Sequence, residues 1–207
     1  MKLLSHTIGI FTNPDREWKA IRSDRHSFLQ VFFSHVPILA LIPCIAGYIG
    51  VTVFGFKLGG HAAKLTPTSA ASLALATYIA LLVGIYLLGE FINWMAKAYG
   101  VEGDEPTRHY EGTALAVFVT TPVLLAGIVL LYPHLWLVVT VMGLAGAYAV
   151  YLIYEGIPIL MNMSKERAFL YAGAVLTVGL VMMVTMLVTS VIVWTMGVGP
   201  VYQHAYP

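Results

Sequence analysis

Three ionisable side chains stand among apolar surroundings in this chain: His35, Glu90 and Glu155, with Asn93 about one helical turn after Glu90. Ionisable groups inside lipid are costly, so they mark where a membrane protein can do something. One imidazole with two carboxyls suits several tasks. The groups can tie helices together as hydrogen-bonded, neutral partners, the form that a low-dielectric interior favours. They can hand protons or cations along. They can hold Zn, Mn or Fe(II). No close spacing such as Glu-x-x-His supports a metal, so the metal assignment stays unknown. The carboxylates can also snorkel to the interface and do nothing chemical. The chain offers no Ser/His pair, phosphate loop, supported haem-ligand pair or nucleotide fingerprint. No catalytic residue, cofactor or enzymatic activity is therefore expected.

These residues are positioned by apolar segments. Stretches without Asp, Glu, Lys or Arg run over residues 26–56, 65–89, 112–154 and 168–207. A helix of about 20 apolar residues, rising 1.5 Å per residue, crosses the hydrocarbon core. The third stretch is about twice that length and carries Tyr132-Pro133-His134 at its middle, so it reads as two spans joined by a tight turn with belt aromatics. Five spans result: about 28–56, 69–96, 113–131, 135–161 and 169–194. The mean hydropathy of +0.82, with 59% hydrophobic and 10% charged residues, excludes an ordinary soluble domain. A net charge of +1 gives no reason to expect nucleic acid. Cys44, inside the first span, reads as inert packing and allows no intrachain disulfide.

Local signals refine the spans. Asn13-Pro14-Asp15-Arg16-Glu17 is a helix start, with Asn as N-cap, Pro at the first position and acids at the positive end of the dipole. The helix that follows groups Trp18, Ile21 and Phe28 on one side. It can lie in the headgroup plane or cap the bundle as a lead-in. The residues before it do not read as a cleaved signal, because Ser5, His6 and Asn13-Pro14-Asp15 interrupt the apolar run. Pro37 and Pro43 predict a kinked first span whose freed carbonyls face the bundle. Ser72, Ala76, Ala80 and Gly84 form a stripe of small residues on the second span that admits close approach of another helix. Thr120-Thr121-Pro122 in the third span offers hydroxyls for a freed carbonyl. Gly143, Gly146 and Ala147 precede Tyr148, Tyr151 and Tyr154 in the fourth. The fifth is uninterrupted and reads as lipid-facing. Glu102, Asp104, Glu105, Arg108, His109 and Glu111 read as a solvated connector, with a docking or metal surface as the lesser alternative.

Basic residues set the orientation. Lys2, Arg16, Lys19, Arg22, Arg25, Lys97, Arg108, Lys165 and Arg167 fall on one side, against Lys57 and Lys64 on the other, nine against two. The N-terminus is therefore expected in the cytoplasm and the C-terminus outside. His35, Glu90 and Glu155 then share a depth, each on the order of 10–15 Å from a cytoplasmic-side charge.

Three segments resemble a bacterial member of the Yip family, the Ypt-interacting-protein family. They are residues 13–21 (Asn-Pro-Asp-Arg-Glu-Trp-Lys-Ala-Ile), Thr121-Pro122, and residues 151–158 (Tyr-Leu-Ile-Tyr-Glu-Gly-Ile-Pro) followed by residues 164–168 (Ser-Lys-Glu-Arg-Ala). The resemblance implies a small five-helix membrane protein, linked in eukaryotes to Rab-type GTPases, vesicle traffic and membrane shaping. The chain lacks the long N-terminal segment with an Asp-Leu-Tyr-Gly-Pro-like motif, so a Rab-type GTPase partner is not expected. No catalytic set carries over.

The expected fold is all-α: a polytopic transmembrane bundle of five helices with a short N-terminal amphipathic interfacial helix. Residues 1–27 form the cytoplasmic interfacial segment, 28–196 the five-span domain and 197–207 a short periplasmic tail. The expected role is a non-enzymatic scaffold, adaptor or accessory subunit in the bacterial inner membrane. Its partners are then the lipid bilayer and another membrane protein or a second copy. The alternative is a small ion or proton transporter or channel using His35, Glu90, Asn93 and Glu155.

Overall fold

The computed structural model describes residues 2–23, 28–58, 61–101 and 103–203. Side chains of residues 1–5, 24–28, 57–62, 102 and 204–207 lie outside that description, and with them those of Lys2, Arg25, Phe28, Lys57 and Glu102. The helices are α1 (Lys2–Thr12), α2 (Pro14–Ser23), α3 (Phe28–Ile49), α4 (Pro67–Ala96), α5 (Glu105–Ala126), α6 (Leu135–Leu160) and α7 (Lys165–Thr195). A π-helical turn over Gly50–Phe54 prolongs α3, and a 3-10 turn over Gly127–Leu131 prolongs α5. Five of these segments are long and apolar enough to cross a membrane, and the chain is a multi-pass bundle of five spans. A short antiparallel hairpin, β1 (Phe56–Leu58) with β2 (His61–Ala63), joins the first span to the second.

Helix α5 is the axis of the bundle. It touches α3, α4 and α6, and 56% of its apolar window is buried, against 6% for α4 and for α7. Small residues make this possible. A Cβ on Gly89 would lie 3.2 Å from Thr113 Cα, and one on Gly112 would lie 3.1 Å from the Asn93 amide, so the α4–α5 crossing is built on two glycines. The Ser72–Gly84 stripe lies elsewhere. Ser72 and Ala76 are exposed, Ala80 and Gly84 are half-buried, and nothing lies within 4 Å of the Cβ position of Gly84.

Several local expectations need correction. Helix α5 begins eight residues before the predicted span, at Asp104-Glu105-Pro106 rather than Thr113. Loss of charge marks where lipid begins, whereas the helix begins where Asp104 takes the N-cap position and Pro106 the first turn. Within the segment expected to be a solvated connector, Asp104 and Glu105 are exposed, whereas Tyr110 and Glu111 at its helical end are buried, at 6% and 7% exposed. The Thr120 and Thr121 hydroxyls bond Ala116 O and Val117 O, both at 2.8 Å, and not the Phe118 carbonyl that Pro122 frees. Thr hydroxyls reach back four residues by geometry, so they find carbonyls already served by an amide.

The two termini approach opposite ends of the bundle. At one end Thr66 N bonds Val201 O and Gln203 N bonds Lys64 O, each at 2.8 Å, tying the C-terminal segment to the start of α4. At the other end α1 and α2 fold back on the bundle as a helical hairpin against α6.

Candidate functional site

The α1–α2 hairpin is built around Asn13-Pro14. Asn13 Oδ1 accepts from Arg16 N at 3.2 Å, while Pro14 opens α2 and Asp15 and Glu17 fill its first turn. Gly9 lets the two helices close, because a Cβ there would run into the Glu17 side chain. His6 Nδ1 then pairs with the Glu17 carboxylate across the hairpin. Next to it the Thr7 hydroxyl and His35 Nε2 of α3 share a hydrogen bond of 3.0 Å, buried on both sides. The rings of His6, His35 and Trp18 surround Phe118 of α5 edge-on, with centroids 6.1, 5.3 and 6.3 Å away.

Trp18 and Ile21 are fully enclosed, so the apolar stripe of α2 is spent on protein. Of the two readings of this helix, the lead-in that caps the bundle is the one adopted. Trp18 sits on Gly156 of α6, where a Cβ would lie 2.8 Å from the indole and 3.0 Å from Leu115.

Helix-end carbonyls complete the docking. Pro14 has no amide for Ile10 O, and Tyr148 of α6 donates its hydroxyl there at 2.7 Å. Tyr110 of α5 donates to Ile21 O at 2.7 Å; away from the hairpin, Tyr171 ties α7 to α4 by donating to Ile92 O. Arg22 brings its guanidinium to Ile159 O (3.2 Å) and Asn162 Oδ1 (3.1 Å), a cation at the negative end of α6.

The four residues singled out by sequence are thus distributed. His35 belongs to the hairpin seat. Glu90 bonds His109 Nε2 of α5 at 2.9 Å and also interacts with Tyr86 one turn back. Asn93 contributes its backbone to the Gly112 crossing, and Glu155 is half-buried on α6 beside Gly156. His35 is thus paired with Thr7 at the hairpin and Glu90 with His109 at the α4–α5 crossing, and among the described residues no three His, Cys, Asp or Glu side chains gather as a metal set. Sequence reasoning missed His6, Thr7 and Glu17, and it placed His109 and Glu111 in a loop. The helix-start signal at Asp104-Glu105-Pro106 could have found the last two.

The arrangement is an anchoring collar of hydrogen bonds and ring contacts that fixes an amphipathic hairpin onto one end of a membrane bundle. The family model described as the Yip1 domain matches residues 8–186, which includes the hairpin from Ile8 onward. The chain belongs to the Yip1 family. This Yip1-family chain is 34% identical over 197 residues to "Inner membrane protein YohC" of Escherichia coli (strain K12), covering 94% of this chain and 98% of that protein. The protein of the same name from Escherichia coli O6:H1 aligns with the same identity and coverage. No solved structure matches. Residues 13–21 and 151–158, two of the segments that carry the family resemblance, meet in space: Trp18 comes from the first and Gly156 from the second.

Proposed function

We propose that this chain is a non-enzymatic scaffold or adaptor of the bacterial inner membrane, working alone or as an accessory subunit, and associating with a second copy or another membrane protein. The observation that carries this reading is the outward placement of Ser72 and Ala76, with open space at Gly84. A helix face of small residues whose Ser72–Ala76 half its own bundle leaves uncovered suits close approach by another helix, where packing rather than hydrophobicity drives association. The name of the Escherichia coli relative supports the inner membrane. The basic residues cluster at the end that carries the hairpin and the α4–α5 and α6–α7 connections, which supports a cytoplasmic N-terminus.

The test is affinity purification from native membranes, with wild type and an Ala76→Leu/Ala80→Leu variant compared side by side. Wild type is expected to bring down a differently tagged second copy or another membrane protein. The variant is expected to keep its thermal midpoint and recover about tenfold less partner, a loss of ~1.4 kcal/mol in helix association. Equal recovery by both proteins would count against the reading.

A further inference from the structure

We propose that the cleft among α4, α5, α6 and α7 receives an acyl chain of an anionic phospholipid, with Lys97 and Arg167 holding its headgroup. The cleft has a volume of about 120 Å³ and is lined by Leu88, Ile92, Leu115, Val119, Val175, Gly179 and their apolar neighbours. No polar side chain reaches its wall. Leu180, also on the wall, is 59% exposed, so the cleft opens onto the lipid-facing surface. Nothing lies within 4 Å of the Cβ position of Gly179, and the hollow amounts to a side chain that α7 does not supply.

An apolar hollow of this kind does not hold water, and its walls forfeit dispersion contacts until something apolar fills it. In a bilayer the filler at hand is a hydrocarbon chain. A neighbouring helix, about 10 Å across, does not enter so small a space.

Charge selects the lipid. Arg167, Tyr171, Val175 and Gly179 follow at four-residue intervals on one face of α7. Arg167 therefore stands on the order of 12 Å above the Val175 wall, within the ~15 Å depth of one leaflet. Its guanidinium lies at the α4–α5 connection, 3.3 Å from the Cβ position of Gly100, three residues after Lys97. Both cations are exposed, and among the described residues neither makes a hydrogen bond or ion pair. Tyr171, buried and stacked on Tyr99 at a centroid distance of 4.9 Å, lies between Arg167 and the cleft wall in sequence, and the exposed Leu180 marks the side on which the chain enters.

The experiment titrates phosphatidylglycerol or phosphatidylcholine into delipidated, detergent-solubilised full-length protein and reads bound lipid by native mass spectrometry. Wild type is expected to bind one phosphatidylglycerol in preference to phosphatidylcholine. Lys97→Gln/Arg167→Gln, both on the surface, should weaken phosphatidylglycerol by about 25-fold, roughly fivefold per cation. Gly179→Phe fills the cleft and should abolish binding of either lipid without lowering the thermal midpoint; should it fail to fold, Gly179→Leu replaces it. Phosphatidylglycerol binding unchanged in the cleft variant, or equal affinity of wild type for both lipids, overturns the proposal. A changed oligomeric state with lipid binding intact also overturns it, by assigning the cleft to a second copy. The outcome does not depend on whether the Ser72–Gly84 stripe mediates association.

Discussion

Gly50→Val is expected to destabilise the bundle by about 3 kcal/mol or more, the upper range for overpacking, because the obstacle is backbone. A Cβ at this position would run into the Leu130 carbonyl oxygen and lie 3.1 Å from its carbon and 3.3 Å from Leu131 O. A flexible side chain could rotate away, whereas a carbonyl in the 3-10 turn over Gly127–Leu131 cannot move without shifting the turn. The neighbouring contact is as tight, with the Cβ position of Gly127 2.5 Å from Pro43 Cβ and 2.9 Å from its Cα. The 3-10 turn is thus held against the first span at two glycines, Gly50 of the π-helical turn against Leu130 and Gly127 against Pro43 of α3, and relief at one strains the other. Thermal unfolding in detergent reads the loss. Gly173→Ala is the control: nothing lies within 4 Å of its Cβ position, and alanine favours a helix interior over glycine, so stability should hold or rise. Equal stability of Gly50→Val and wild type would mean that the two turns do not touch.

What the sequence made legible follows from the solvent. Lipid leaves no water to bond a bare backbone, so spans must be helical and must read as long apolar runs. All five were found for that reason. The same criterion misplaced the start of α5, because its first turns project beyond the apolar stretch and carry His109, Tyr110 and Glu111. The β1–β2 hairpin was missed although its signal is local: in the sequence a Gly-Gly pair separates Phe56-Lys57-Leu58 from His61-Ala62-Ala63, a two-residue hairpin pattern. Helix α1 had no such signal. Its residues gain their place by meeting α2, α3 and α5 and by the stacking of Phe11 on Tyr148 of α6, and nothing in residues 2–12 announces those partners.

The site shows the same limit at the level of pairs. His35 stands out by type in an apolar span, yet its partner Thr7 lies 28 residues earlier in a segment with no apparent link to it. Glu90 and Asn93 share a helix and so invite grouping, while the bond Glu90 makes is to His109, 19 residues on and across the α4–α5 connection. Amphipathicity foretold that Trp18 and Ile21 would be covered. It did not say whether lipid or protein would cover them, because both present an apolar surface to the same stripe.

That distinction supplies the second large effect. Trp18→Ala is expected to release the α1–α2 hairpin from the bundle at a cost of about 3–5 kcal/mol, as for other fully buried aromatic truncations. Trp18 has no exposed surface and fits between Gly156, Leu115 and Phe118, so alanine leaves a hollow that the rigid helix backbones cannot close. The spans do not depend on this contact, since α3, α4 and α6 each pack on α5, and α7 packs on α4 and α6. Opening should therefore be local. Trypsin cleavage at Arg16, Lys19 or Arg22 should accelerate in detergent while helix content stays constant. Gly156→Leu attacks the same seat from α6 by crowding the indole, and combining it with Trp18→Ala should cost less than the separate losses together, because the leucine occupies part of the hollow that alanine leaves. Trp18→Phe separates packing from polarity. The indole Nε1 finds no acceptor among the described residues, so phenylalanine removes a buried unsatisfied donor along with some volume and should retain most of the docking. Unchanged trypsin resistance in Trp18→Ala would shift the burden of anchoring to Tyr148, Tyr110 and Arg22, the groups that hold the hairpin through backbone carbonyls.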